Sequence, residues 1–211
     1  MVLQIMLPKV NHRIVVQTLT SDFRAATKFI EEPIAPLGKR DMLIKNVACG
    51  INASDVNFAS GAYLPGVKPP FPCGFEAVGT VVAAGANAQL KEGDHCVYTE
   101  YGAFAEYTTI KKAFPLPQPD PQAIPLLVSG LTAAIALEIN GVDIFNQKGD
   151  NYVPPKVGLV TAAAGGTGQF AVQLMRNAGI ANVIGTCSTE EKATFLRSIG
   201  ATGKFILISL I

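Results

Sequence analysis

Tryptophan is absent from the 211-residue chain, histidine occurs twice, cysteine occurs four times, and charged residues make up only 16%. An ordinary globular chain is roughly 25% charged. Seventeen Lys and Arg offset sixteen Asp and Glu to leave +1, so the basic excess that marks a nucleic-acid surface is missing. Wholly apolar runs such as 133–137 and 205–208 fall far short of the ~20 residues that cross a bilayer, and no membrane span is expected. The apolar start, 1–9, holds Pro8 and lacks both a basic lead and a small-residue cleavage pattern, so no secretory signal is expected either. Cys49, Cys73, Cys96 and Cys187 are scattered and never form C-x-x-C, which fits buried free thiols in a reducing compartment, the cytoplasm. With only His12 and His95 to supply imidazole, a catalytic zinc centre is not expected.

Apolar material is plentiful: 49% of the residues are hydrophobic, enough for a sizeable core. At one domain per roughly 150 residues, the length predicts one whole domain and part of another. Up to residue 102 the chain reads as short strands between turn residues, at 14–19, 43–49, 78–83 and 96–99. Pro115, Pro117, Pro119, Pro121 and Pro125 then exclude a central strand or a helix interior, which places a domain boundary near residue 122. Beyond it come a helical stretch at 123–139, a strand at 157–161, a helix at 169–178, a strand at 183–187 and a helix at 189–199. Strands alternating with helices predict a parallel sheet with crossover helices. The expected fold class is α/β, with a β-rich domain over 1–122 and an incomplete doubly wound domain over 123–211.

In 157–171 a buried strand runs directly into glycines, and a helix opens on their far side. Against G-x-G-x-x-G the match is Ala163-x-Gly165-x-x-Gly168, with alanine in place of the first glycine. Gly165 lets the backbone approach a pyrophosphate, Gly168 lets helix and strand pack, and the helix N-terminus favours negative charge. Ala164, Gly165, Gly166, Thr167 and Gly168 are therefore the candidate cofactor-loop residues, with a purely structural turn as the competing reading. An NAD site would place Asp or Glu about 20 residues further on. That distance from Gly168 reaches Ser188, and Gly185-Thr186-Cys187-Ser188 contains no acid. A Ser188 hydroxyl with the Lys192 ammonium one helical turn later suits a ribose 2′-phosphate, which predicts NADPH. The alternative makes Ser188 a helix N-cap, Glu191 the partner in a capping box, and Lys192 a solvated charge.

Three stretches, Ala48-Cys-Gly-Ile-Asn-Ala-Ser-Asp55, Gly74-Phe-Glu76 and the Ala-Ala-Gly-Gly-Thr-Gly loop, resemble the medium-chain dehydrogenase/reductase superfamily, and the resemblance runs to about Gly200. Zinc members have a ligand Cys where this chain has Asn52 and a ligand His where it has Phe75, so the resemblance is to the zinc-free quinone oxidoreductase branch. Asn52-Ala-Ser-Asp-Val-Asn57, Ser60-Gly-Ala-Tyr63, Lys68-Pro-Pro-Phe71 and Ser129-Gly-Leu-Thr132 bring it nearest to the prostaglandin reductases within that branch. The resemblance implies a GroES-like catalytic domain followed by an incomplete Rossmann domain, NADPH as cofactor, no metal, and reduction of the carbon-carbon double bond of an enone. It further implies a 15-keto-prostaglandin-like substrate, a homodimer in the full-length family, and a peroxisomal or mitochondrial address as the alternative for full-length relatives.

Hydride addition to the β-carbon of an enone builds negative charge on the carbonyl oxygen, which hydrogen-bond donors must meet. The resemblance assigns that task to the side-chain amide of Asn52 and the phenol of Tyr63, against a turn cap and a packing aromatic respectively. It makes Thr132 a phosphate or nicotinamide contact, where the alternative is an ordinary helix threonine. Asp55 is expected to cap a helix, Glu76 to be a hydrogen-bonded structural carboxylate and His95 a structural residue, while His12 carries no assignment. The family pattern continues far beyond Ile211 and 202–211 departs from it, so the chain is expected to be C-terminally truncated, its tail either filling the third-strand position or exposed. Two further readings stay open: a non-catalytic module that senses cofactor or binds a partner, and a quinone oxidoreductase.

Overall fold

The computed structural model describes residues 9–147, 149–202 and 206–207. Contacts divide the chain into two units, one ending at Ile124 and the other beginning at Pro125. In the first unit, β1 (Val10–Val16) lies between β2 (Thr27–Pro33) and β4 (Phe71–Pro72), antiparallel to both, with the short helix α1 (Phe23–Ala26) leading into β2. A larger antiparallel sheet comprises β3 (Met42–Cys49), β5 (Glu76–Ala84), β6 (His95–Thr99), β7 (Tyr107–Ile110) and β8 (Phe114–Leu116), in the order β7-β3-β5-β6-β8. Helix α2 (Ala53–Ala59) follows β3.

The first strand differs from its expected position at 14–19. It starts at Val10 because all seven of its residues pair with β2, while Leu19 stays exposed beyond its end. β2 itself escapes a pattern search, since its Lys28, Glu31 and Glu32 break up any apolar alternation. Pro115 sits in β8 at the edge of the larger sheet, the place where a residue without an N–H is tolerated.

One polar side chain ties this sheet together. Asn46 on β3 accepts a hydrogen bond from the hydroxyl of Tyr98 at 2.7 Å. Its amide nitrogen donates to the Ala105 carbonyl at 2.8 Å, the Thr108 hydroxyl at 3.0 Å and the Ala103 carbonyl at 3.2 Å. Tyr98 is fully buried, and burial pushes its phenol above the ordinary range. Buried polar atoms are tolerated when all are bonded, and they become costly when one partner is removed.

From Pro121 to Ile139 the chain is helical in three pieces: a 3-10 turn to Leu126, a π turn from Leu127 to Leu131, and α3 (Thr132–Ile139). An 18-residue window of this 19-residue segment has a mean hydropathy of 1.6, so among the described residues one helix is long and apolar enough to cross a membrane, although no such span is expected from the apolar runs. The pieces join small and uncharged polar residues to the apolar ones, which lengthens the segment without lengthening any run. Its Leu137 packs into the core of the second unit with Val160, Val172, Val183 and Leu196.

That core is covered by α4 (Gly166–Asn177) and α5 (Glu190–Ser198) on a parallel sheet of β9 (Val157–Val160), β10 (Asn182–Cys187) and β11 (Ile206–Leu207), in the order β11-β10-β9. This is the 3-2-1 half of a doubly wound sheet. Ile206 and Leu207 pair with Thr186 and Cys187, so this part of the tail fills the third-strand position. The other tail residues, 203–205 and 208–211, lie outside the described residues, as do 1–8, which include most of the apolar start.

Replacing Asn46 by Ala is expected to destabilise the first unit by about 2–4 kcal/mol in urea unfolding, because it strands the buried Tyr98 hydroxyl and the carbonyls of the 103–105 segment. Tyr98→Phe removes only one of these bonds and is expected to cost about 1 kcal/mol. A larger loss for Tyr98→Phe than for Asn46→Ala would contradict the assignment of Asn46 as the hub.

Candidate functional site

In the second unit, the turn after β9 is shaped by what α4 leaves no room for. A Cβ on Gly168 would lie 2.6 Å from the Ala162 carbonyl oxygen and 2.7 Å from Ala163, so the helix approaches the strand end as only glycine permits. Ala162 takes a left-handed conformation, φ 48°. Its N–H is bonded to the Thr186 hydroxyl at 2.9 Å, and the Ala163 N–H to the Thr186 carbonyl at 2.9 Å. Helix α4 starts at Gly166, three residues before the expected start at 169, because Gly165 is its N-cap and already accepts the first helical bond from Gln169. The N–H groups of Gly166, Thr167 and Gly168 therefore have no partner within the helix, and they offer an anion site at its positive end.

Ala164, Gly165, Thr186, Ser188 and Lys192 line a cavity of about 400 Å³ beside this loop. The Lys192 ammonium donates to the Ser188 hydroxyl at 2.9 Å. Ser188 is not the cap of α5, as the competing reading had it. That position belongs to Thr189, whose hydroxyl accepts the Lys192 N–H at 3.2 Å, because the chain is still extended at Thr189. The Ser188 side chain is thus left to the cavity and to Lys192, and among the described residues no carboxylate lines the cavity. The loop, the helix start and the hydroxyl–ammonium pair fit a dinucleotide that carries a 2′-phosphate. Thr132, the first residue of α3, does not line this cavity, and its hydroxyl donates to the Val128 carbonyl at 2.5 Å.

In the first unit, Asn52 stands at the N-cap of α2. Its backbone N–H donates to the Asp55 carboxylate at 2.7 Å and its side-chain amide to Glu76 at 2.8 Å. Asn52 and Asp55 line a predominantly apolar cavity of about 720 Å³, together with Asn46, Cys49, Ile51 and Phe104. Tyr63 does not join them. It is 59% exposed on the turn before Gly66 and does not line that cavity. Phe75, at the position where zinc relatives have a histidine ligand, packs among Phe58 and Tyr101 at ring distances of 5.4 and 5.3 Å. Among the described residues no group of three or more His, Cys, Asp or Glu side chains is placed to hold a metal ion.

Asp55 is almost fully buried, and one of its carboxylate oxygens has no hydrogen-bond partner among the described residues. Burial pushes its pKa up to about 6, against the opposing bond from Asn52, and the nearby Glu76 charge adds to the rise. Cys49 is half-buried rather than buried; its thiol donates to the Ala103 carbonyl at 2.9 Å, and burial pushes its pKa up to about 11. His12, which carried no assignment, contacts Glu106 at 2.9 Å and Glu31 at 3.6 Å, and its pKa is raised, chiefly by the bond to Glu106. Sequence reasoning missed Thr186 as the tether of the loop and Glu76 as the partner of Asn52. Both depend on strand register, which no local pattern encodes.

A β-rich unit followed by the 3-2-1 strands and glycine loop of a dinucleotide-binding sheet defines an alcohol-dehydrogenase type of two-domain architecture. Residues 38–120 match the alcohol dehydrogenase GroES-like domain. The chain is 48% identical over 190 residues to a probable quinone oxidoreductase of Leishmania amazonensis, covering 88% of this chain and 53% of that protein. It is 45% identical over 199 residues to prostaglandin reductase-3 of Mus musculus, covering 92% of this chain and 50% of that protein. Among solved structures, the Escherichia coli quinone oxidoreductase complexed with NADPH is similar with a TM-score of 0.74 and 30% identity, covering 90% of this chain and 56% of that one. Along most of its length the chain is thus similar to quinone oxidoreductase-like members of the medium-chain dehydrogenase/reductase superfamily. It spans about half the length of the curated relatives it matches.

The raised Asp55 pKa fixes the sign of a pH effect. The folded state holds this proton more tightly than the unfolded state, so the contribution is favourable at acid pH and is lost as pH rises through about 6. Urea unfolding between pH 4 and 7 is expected to show a fall of at most about 3 kcal/mol from this group. Asp55→Asn should flatten that slope; an unchanged slope would contradict the assignment.

Proposed function

We propose that the chain carries the adenosine-side NADPH site and the enone-polarising residue of an NADPH-dependent reductase that acts on the carbon-carbon double bond of an enone. The observation that carries the cofactor half is the Ser188–Lys192 pair lining the cavity beside the glycine loop. Gly165 to Gly168 would hold the pyrophosphate at the start of α4, and Ser188 with Lys192 would hold the 2′-phosphate. When bound, NADPH supplies the hydride. The chain's part in the chemistry is to meet the charge that grows on the carbonyl oxygen, and the Asn52 amide supplies an N–H for it in a cavity that is mostly apolar.

The same cavity and the 45% identity to prostaglandin reductase-3 support a long apolar enone of the 15-keto-prostaglandin type as the substrate class. A quinone is the second reading, supported by the 48% identity to a probable quinone oxidoreductase. Quinones and enones share a conjugated carbonyl, so the same Asn52 donor serves both.

Equilibrium binding of NADPH and NADH, followed by nicotinamide fluorescence, tests the cofactor half. NADPH should bind about tenfold more tightly, and Lys192→Ala should remove most of that difference while leaving NADH nearly unchanged. Equal affinities in the unaltered chain would overturn the 2′-phosphate assignment. With NADPH present, formation of the saturated ketone from a 15-keto-prostaglandin supports the enone reading, and hydroquinone from a benzoquinone without enone turnover supports the second. Cofactor binding without turnover of either supports a cofactor-sensing module instead.

A further inference from the structure

Glu76 opens β5 and is 2% exposed, an expensive place for a carboxylate unless it has a task. Two of its contacts reach one loop. The backbone carbonyl of Glu76 accepts the Gly50 N–H at 3.0 Å, and its side chain accepts the Asn52 amide at 2.8 Å. Gly50 makes room for it, since a Cβ at residue 50 would collide with the Glu76 carboxylate. From the other side, Asp55 takes the Asn52 backbone N–H at 2.7 Å. Asn52 is thus held by its main chain and its side chain independently.

The identity of the partner matters as much as its place. The Glu76 carboxyl oxygen accepts from the Asn52 nitrogen, and a primary amide presents two N–H groups on one end and an oxygen on the other. The nitrogen end of Asn52 must therefore face Glu76, because the flipped amide would set oxygen against oxygen. One N–H is then committed to Glu76, and the second is the donor the amide still has to offer.

We propose that Glu76 is the positioning residue of the substrate cavity: it selects one of the two orientations of the Asn52 amide and so keeps a single N–H available to a carbonyl oxygen. The role of that N–H toward substrate rests on the enone reading above, whereas its orientation by Glu76 does not. Glu76 touches neither substrate nor cofactor in this scheme and acts only through Asn52. Asp55 fixes the residue's main chain through its carboxylate, and its backbone N–H, which faces the Asn52 side chain in a capping box, favours the same amide orientation as Glu76.

Nitrogen-15 NMR of the side-chain amides tests the proposal without requiring turnover. In the unaltered chain the two Asn52 protons should be unequal, one protected from exchange at least about tenfold more than the other. Glu76→Leu should equalise them, and Glu76→Gln, which keeps an accepting oxygen, should restore much of the inequality. A merely structural carboxylate would alter stability without this pattern of loss and rescue. Two equally exchanging protons in the unaltered chain overturn the proposal, and this reading remains decisive even where Glu76→Leu fails to fold.

Titration with 4-phenyl-3-buten-2-one, a simple enone, separates the proposal from the reading it refines. A shift at the less protected proton, with binding weakened about tenfold in Glu76→Leu and retained in Glu76→Gln, supports both. A protected proton with no enone response overturns the enone reading and supports the orientation by Glu76. An enone response of equal strength in Glu76→Leu, with the protons still unequal, overturns the orientation.

Discussion

Helix α4 begins hard against the end of β9, and this approach is possible only because residue 168 has no side chain. Much else in the second unit follows from it. To enter the helix at Gly166, the chain turns through Ala162 in a left-handed conformation, which costs an alanine roughly 1–2 kcal/mol. Thr186 offsets that cost with two bonds to consecutive loop N–H groups, which also lock the end of β10 to the loop. Because β10 is locked there, Ser188 and Lys192 emerge beside the glycines rather than elsewhere. A backbone constraint at one residue thus places both the N–H groups at the helix start and the Lys192 cation proposed to read a 2′-phosphate.

The first unit solves a different problem, the burial of polar groups. Asn46, Asp55, Glu76 and Tyr98 are buried or nearly so, and most of their polar atoms are bonded to strands distant in sequence. Asn46 is satisfied on both ends of its amide, so it acts as a rigid pin. Asp55 keeps an oxygen without a hydrogen bond, and its raised pKa is the physical expression of that incompleteness. Between these two lies Asn52, anchored but with donor capacity left over, which is what a group that meets developing charge requires.

Much of the second unit was legible in the sequence because its signals are local. The strand at 157, the glycine spacing, the following helix and the acid-free end at Ser188 all fall within about thirty residues of chain. Even there the helix start and the α5 cap were misplaced by one to three residues, since an N-terminus is decided by which carbonyl accepts the first bond. The first unit was less legible. β2 and β7 carry polar residues on exposed faces, and Glu76 meets Asn52 only through the pairing of β3 with β5. Tyr63 and Thr132, carried over by resemblance alone, line neither cavity.

Ser188 and Lys192 at the end of β10 are the proposed readers of a 2′-phosphate. Isothermal titration calorimetry with 2′,5′-ADP and with 5′-AMP tests this assignment most directly, because both fragments address the adenosine side alone. Binding of 2′,5′-ADP is expected to be at least about tenfold tighter than that of 5′-AMP, with the advantage shrinking as salt is added. Equal affinities, or an advantage insensitive to salt, would contradict it.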